Sequence, residues 1–401
     1  AAAIDEKLPD GVIDPDRFEA IRYTPHIASR RRRWIGWVLT ILAILALLTA
    51  GLFGGRAYLE SQHFIGPDEA HVAIYRGIPG KGSGLRAVFE AANFLKAKAV
   101  AVFDSDLVSI KPEWIGNVLN LVREGYDFVA PFYRRYKLDG TITNTIAYNM
   151  TRALYGLRIR QPIGGDFGIS GRLVKDFLDQ DVWETDVARF GIDVWMTTSA
   201  IVWDCRICQA RLGVKIHGHK DPAADLGPMF RQVVGSIFQM MEQHEGFWKN
   251  VADSKDVPIL GAEFEQEPAP FEVDMESLID YFRVGFRNFE SLWERSIDDI
   301  DMRTVRSLAA TERREDFRMP VETWARIIYR YAAAFQATPR QRFKVLDTMI
   351  PLYYARVVSL INELADASPE EAERQSEANA QVFERLKPYL LDVWKKETEN
   401  G

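Results

Sequence analysis

Two carboxylates one residue apart, Asp104 and Asp106, close the apolar run Ala99-Val100-Ala101-Val102-Phe103. A continuous hydrophobic run reads as a buried parallel strand, and ligands of open α/β sheets gather outside the carboxyl ends of the strands. If the chain turns at Ser105, both carboxylates reach one hard divalent cation, which in turn takes phosphate oxygens. That is the donor pattern of a site for a nucleotide diphosphate. Acids at strand ends also serve as helix caps and solvated turns, so the pair alone leaves both readings open.

The elements that must carry these acids can be read from spacing. Leu85, Val88, Phe89, Ala92 and Leu95 recur at helical intervals ahead of the strand. After it, Pro112 suits a first helical turn, Ile115, Val118, Leu119 and Val122 form a stripe, and Gly125 suits the end. Tyr126 to Tyr133 is the next strand. The acidic, proline-bearing segment 252–270 reads as a linker. Beyond it, 271–401 reads as a helical region: Trp324, Ile327, Ile328, Tyr331 and Phe335 share one face, as do Leu346, Met349, Ile350 and Tyr353. Ser368-Pro369-Glu370-Glu371 has the form of a capping box.

Lys81 stands between Gly80 and Gly82, where the backbone can approach a diphosphate and the ammonium can add a charge-assisted contact. It is not a P-loop, because Tyr75 and Gly82 occupy positions that motif gives to glycine and to Ser or Thr. Downstream come Phe132-Tyr133-Arg134-Arg135, Gly140-Thr141-Ile142-Thr143-Asn144, Gln161-Pro162-Ile163-Gly164-Gly165-Asp166-Phe167-Gly168, Phe190-Gly191-Ile192-Asp193-Val194-Trp195, Gly213-Val214-Lys215-Ile216-His217 and Leu226-Gly227-Pro228-Met229-Phe230-Arg231-Gln232-Val233. In this order, from about Pro79 to about Asn250, the series resembles bacterial GT-A glycosyltransferases related to glucosyl-3-phosphoglycerate synthase and mannosylglycerate synthase.

The resemblance implies an α/β, Rossmann-like sheet domain over 79–251 that moves a hexose from a nucleotide-diphosphate sugar, with retention, to a small hydroxy-acid-like acceptor. It implies Mg²⁺ or Mn²⁺ on Asp104, Asp106 and His217, with His219 as the alternative imidazole. Lys81, Gly82, Asp104, Ser105, Gly164 and Gly165 would bind the donor. Asp166 would face the sugar hydroxyls and Asp193 would lie between acceptor and sugar. Either acid can also be read as a cap of the helix after it. Relatives place arginine where Thr141 stands and asparagine where His219 stands, so acceptor binding is expected to fall to Thr143 and Arg134, or to Arg135.

The 401 residues leave room for two or three domains, and the net charge of −7 without a basic face argues against nucleic acid as partner. Cys205 and Cys208 make no disulfide framework, and on a strand read from Ile201 to Ala210 they would point to opposite faces.

The beginning of the chain is different in kind. Residues 1–33 form a segment ending in the basic block Arg30 to Arg33, and 34–55 carry no charge, long enough as a helix to cross a ~30 Å hydrocarbon core. The basic block predicts a cytoplasmic N-terminus, a single-pass anchor and export of the chain beyond Gly55. That conflicts with the cytoplasmic glycosyltransferase relatives, whose donors are cytosolic. Residues 30–77, including Phe64-Ile65-Gly66-Pro67-Asp68, resemble the membrane-anchor tail of actinobacterial serine/threonine phosphatases, which suggests a fusion near Gly77 to Gly80. The tail 56–78 is too short for two β-α units, since one crossover takes a dozen or more residues, so the sheet is expected to lack its first, base-binding strands. Two further readings compete: an inactive membrane-anchored module, and a membrane glycosyltransferase with a lipid-linked acceptor. A homodimer through the helical region is also expected.

Overall fold

A computed structural model describes residues 80–216, 222–263, 268, 270 and 273–400, for 222–226 and 400 the backbone alone. The apolar run before the acids is strand β1 (Ala99–Val102), preceded by helix α1 (Lys81–Phe94) and followed by α2 (Pro112–Arg123) and β2 (Phe128–Arg134). A π-helical turn, Thr143–Ala147, leads into α3 (Tyr148–Tyr155), then β3 (Leu157–Arg158), β4 (Phe167–Ser170), α4 (Gly171–Leu178), α5 (Ile192–Val202) and β5 (Ile207–Val214). The chain continues through α6 (Pro222–Gln243), α7 (Glu245–Trp248), β6 (Lys255–Asp256) and β7 (Ile259–Leu260). The rest is helical: α8 (Met275–Ser296), α9 (Asp299–Ala309), α10 (Val321–Ala337), α11 (Arg342–Asp347), α12 (Ile350–Glu363), α13 (Pro369–Arg385) and α14 (Lys387–Asn400).

The main sheet has the order β1-β4-β2-β5-β7. β4 runs antiparallel to both β1 and β2, while β2, β5 and β7 are parallel. The carboxyl ends of β1, β2 and β5 and the amino end of β4 therefore lie along one edge. Between Phe132 and Tyr133 the β2/β5 register shifts, and such a bulge re-aims the side chain beside it.

Alternation along β1 and β2 divides the core. Val100, Val102, Phe128 and Ala130 face one side of the sheet, and Val129 and Tyr133 face the other with Trp114, Val118 and Val122 of α2. The stripe expected on α2 is turned by about one position. Trp114 takes the core place, packing on Phe103 and Tyr133, and leaves Ile115 at 47% exposure. On α1, Phe89 is buried while Val88, and Leu95 just past the end of the helix, are exposed.

Several expectations are corrected. The residues from Ile201 do not begin a strand: α5 runs to Val202, and Cys205 lies in the connection before β5. Burial pushes the Cys205 and Cys208 thiols up to about 11 and about 12, which keeps both protonated and poor as ligands or nucleophiles at neutral pH. The segment 252–270 is not a bare linker, since β7 within it pairs with β5 at the sheet edge and β6 pairs with β3. The helical region is not a separate core. One hydrophobic cluster runs from Phe89 through Phe238 to Trp394, and Arg152 of α3, its side chain 2% exposed, pairs with Glu377 and Glu384 of α13 at 2.5 and 2.8 Å. Helix α10 buries ten of its residues, among them Trp324, Ile327, Ile328, Tyr331 and Phe335, and keeps Glu322, Arg326 and Arg330 at least partly exposed. The capping box at Ser368 is formed, with Glu371 returning the bond.

The described residues belong to one unit, Gly77–Gly401. Among them no helix is long and apolar enough to cross a membrane. The span at 34–55, the phosphatase-like stretch 30–77 and His217 and His219 lie outside the described residues.

Candidate functional site

At the shared edge of the sheet, charged side chains from five segments converge. Lys81, the first residue of α1, places Nζ 2.8 Å from Asp104 Oδ1 and 2.8 Å from Asp193 Oδ2. Lys215, just past β5 and 4% exposed at its side chain, places Nζ 2.9 Å from Asp104 Oδ2 and 3.0 Å from Asp166 Oδ2, and donates to the Gly164 carbonyl at 2.7 Å. The backbone N–H of Asp104 donates to Asp166 Oδ1 at 2.7 Å, and the Tyr133 hydroxyl donates to Asp166 Oδ2.

The electrostatics reflect this pairing. Burial would raise Asp104, but Lys81 and Lys215 hold it well below the usual carboxylate range. Burial would lower Lys81, and Asp193 and Asp104 together hold it above its usual value. Burial pushes Asp193 up. Its Oδ1 is buried with no hydrogen-bond partner among the described residues, so one strong acceptor stands open. Tyr133 is raised well above its ordinary value by burial and by Asp166, and stays a donor.

The glycines have definite work. Gly165 has φ +87°, and a Cβ there would meet Asp104 Oδ2 at 1.9 Å; at Gly164 it would meet Pro131 Cγ at 2.2 Å. The pair thus lets the loop lie against Asp104. At Gly82 a Cβ would meet the Val187 carbonyl at 1.8 Å, and at Gly80 the Ala188 carbonyl at 2.5 Å. The glycines beside Lys81 let the start of α1 sit on the segment 186–189, which aims the lysine at Asp193. Replacing Gly165 with alanine is expected to cost about 1–3 kcal/mol in backbone strain alone and to push Asp104 off Lys215. Urea denaturation of the two proteins measures it.

Asp104, Asp166, Asp193, Lys81, Gly164 and Gly165 are thus brought together. Asp166 is fully buried and accepts from three donors, the Asp104 N–H, the Tyr133 hydroxyl and the Lys215 ammonium. Neither acid caps a helix: Asp166 precedes a strand, and Gly191 holds the N-cap position before Asp193. Ser105 and Asp106 are exposed on the turn after Asp104. That segment is tied to the end of β5: the Val108 N–H donates to the Ile216 carbonyl at 3.0 Å, and the Ile216 N–H to Ser109 Oγ at 2.9 Å. Among the described residues no three His, Cys, Asp or Glu side chains form a metal cage. Thr143 is buried at the start of the π-helical turn, and the half-exposed Arg134 lies 4.0 Å from Glu370.

Lys215 and Tyr133 are the residues that sequence reasoning left unassigned. A lysine between Val214 and Ile216 at the end of an apolar strand was the available signal, because lysine is almost never buried unless paired.

Among solved structures the chain is similar to glucosyl-3-phosphoglycerate synthase from Mycobacterium tuberculosis in complex with Mn²⁺, UDP-glucose and phosphoglyceric acid, at 25% identity and a TM-score of 0.35, over 42% of this chain and 57% of that one. Structures of the same enzyme with Mn²⁺, UDP and glucosyl-3-phosphoglycerate, and with Mg²⁺ and UDP, match at 25% identity and a TM-score of 0.35, over 41% of this chain and 56% of those. The chain thus spans little more than half the length of these proteins. No family model and no curated protein matches it.

Proposed function

We propose that this chain is a metal-dependent glycosyltransferase that takes a hexose from a nucleotide-diphosphate sugar. The observation that carries the reading is the salt-bridged chain Asp193–Lys81–Asp104–Lys215–Asp166. It draws to one sheet edge the segments that the motif series singled out separately.

The donor set suits a hard divalent cation. Lys81 and Lys215 hold Asp104 ionised and occupy one oxygen each, so a cation bound there would take the place of the Lys81 ammonium. Asp104 and Asp106 would hold Mg²⁺ or Mn²⁺, with His217 as the third ligand. The bound ion would supply Lewis-acid neutralisation of the diphosphate leaving group. Lys81 then exchanges a carboxylate partner for diphosphate oxygens, and Lys215 keeps Asp104 and Asp166 in place. Asp193 offers its open Oδ1 to a hydroxyl between sugar and acceptor. Retention needs no further protein base if the leaving phosphate takes the acceptor's proton.

Isothermal titration of UDP- and GDP-sugars into the full chain, with and without Mn²⁺, tests the reading. Binding that requires the metal is expected. Absence of binding, or affinity equal in EDTA, overturns it.

A further inference from the structure

Two ammonium groups sit on Asp104, one on each oxygen, and they are not held alike. Lys215 gives its ammonium to Asp104 Oδ2, Asp166 Oδ2 and the Gly164 carbonyl, and its side chain is 4% exposed. Three acceptors match its three donors, so it is fixed. Lys81 bridges Asp104 Oδ1 and Asp193 Oδ2 at 2.8 Å each, with its side chain 20% exposed. Its main chain is pinned: the Gly82 N–H donates to the Arg189 carbonyl at 3.2 Å, and the glycines on either side lie against residues 187–189. Departure of the Lys81 ammonium is therefore a rotation of a flexible side chain about a fixed helix start.

Its place decides what else Asp104 can hold. A divalent cation and the Lys81 ammonium repel each other and cannot both take Asp104 Oδ1. The ammonium also lies between Asp104 and Asp193 and relieves the repulsion of these two acids. A ligand that needs a form of the protein present only as a fraction binds more weakly by that fraction. A diphosphate offers Lys81 several anionic oxygens in exchange for the carboxylate and frees Oδ1 as it does so.

We propose that Lys81 is a resident counter-cation that closes Asp104 to a divalent ion until a nucleoside diphosphate draws it away, so that metal and nucleotide bind as a coupled pair. The proposal rests on the glycosyltransferase reading of this site. Such coupling is reciprocal, each ligand strengthening the other by the same factor. The share that passes through Lys81 is lost when its charge is removed.

Electron paramagnetic resonance of free Mn²⁺, titrated against the full chain with and without UDP, measures the coupling, with circular dichroism confirming the fold of each variant. The native chain should bind Mn²⁺ weakly alone and roughly tenfold or more tightly with UDP. Lys81→Met should bind Mn²⁺ alone roughly tenfold more tightly than the native chain, with a smaller gain from UDP. Lys81→Arg, which keeps the charge, should show no such tightening. Lys81→Gln, uncharged but still able to donate to Asp193, gives the same readout should Lys81→Met fail to fold. A purely structural Lys81 predicts lower stability and unchanged metal affinity in the uncharged variants. That result, or an equal tightening in Lys81→Arg, overturns the proposal, and metal-dependent UDP binding by the native chain then keeps the reading of the site. Failure of the native chain to bind Mn²⁺ even with UDP overturns both.

Discussion

Replacing Lys215 with methionine is expected to destabilise the protein by about 3–5 kcal/mol, the cost of removing one partner from a buried ion pair. The stem would still pack, but Asp104 and the fully buried Asp166 would lose the ammonium that joins them. The Gly164 carbonyl would lose its donor as well. The loss should depend on pH. In the native protein Lys81 and Lys215 outweigh burial and hold Asp104 below its unfolded value. That contribution is present at neutral pH and disappears as pH falls through the ordinary carboxylate range toward the folded value. In Lys215→Met the contribution shrinks, so the gap between variant and native protein should narrow in acid. Denaturant melts at several pH values measure it. A difference under about 0.5 kcal/mol at pH 7, the range of ordinary surface changes, would mean that Lys215 does not hold the cluster.

Much of this arrangement was legible in the residues, for identifiable reasons. Strand β1 announces itself by an unbroken apolar run, and α2 by a proline at its start and a glycine after its end. The acids at 104, 166 and 193 stand out because charged residues interrupt apolar or glycine-rich segments. The hidden part depends on register. The reversal of β4 between β1 and β2 puts Asp166, at the start of its strand, beside residues at the ends of others, and no local pattern encodes which neighbours a strand takes. The bulge at Phe132/Tyr133 and the depth of Lys215 are likewise products of pairing. The continuity of the helical region with the sheet core escaped a reading that took acidity and proline at 252–270 for a boundary. Those residues instead include the edge strand β7.

The second large effect concerns Asp106. This side chain is exposed on the turn after Asp104, so its removal should spare the fold while taking away the oxygen proposed to hold the cation. Loss of even an outer-shell partner typically costs a metal site about 10–100-fold in affinity. Loss of a ligand should exceed that. The direct measurement is a titration of UDP-glucose in saturating Mn²⁺ into the native chain and into Asp106→Ala, with circular dichroism confirming that both are folded. The native chain should bind in a metal-dependent manner, and Asp106→Ala should weaken that binding by more than about 100-fold. Equal, metal-dependent affinity in the two proteins would contradict the assignment of the metal and donor to this end of the sheet.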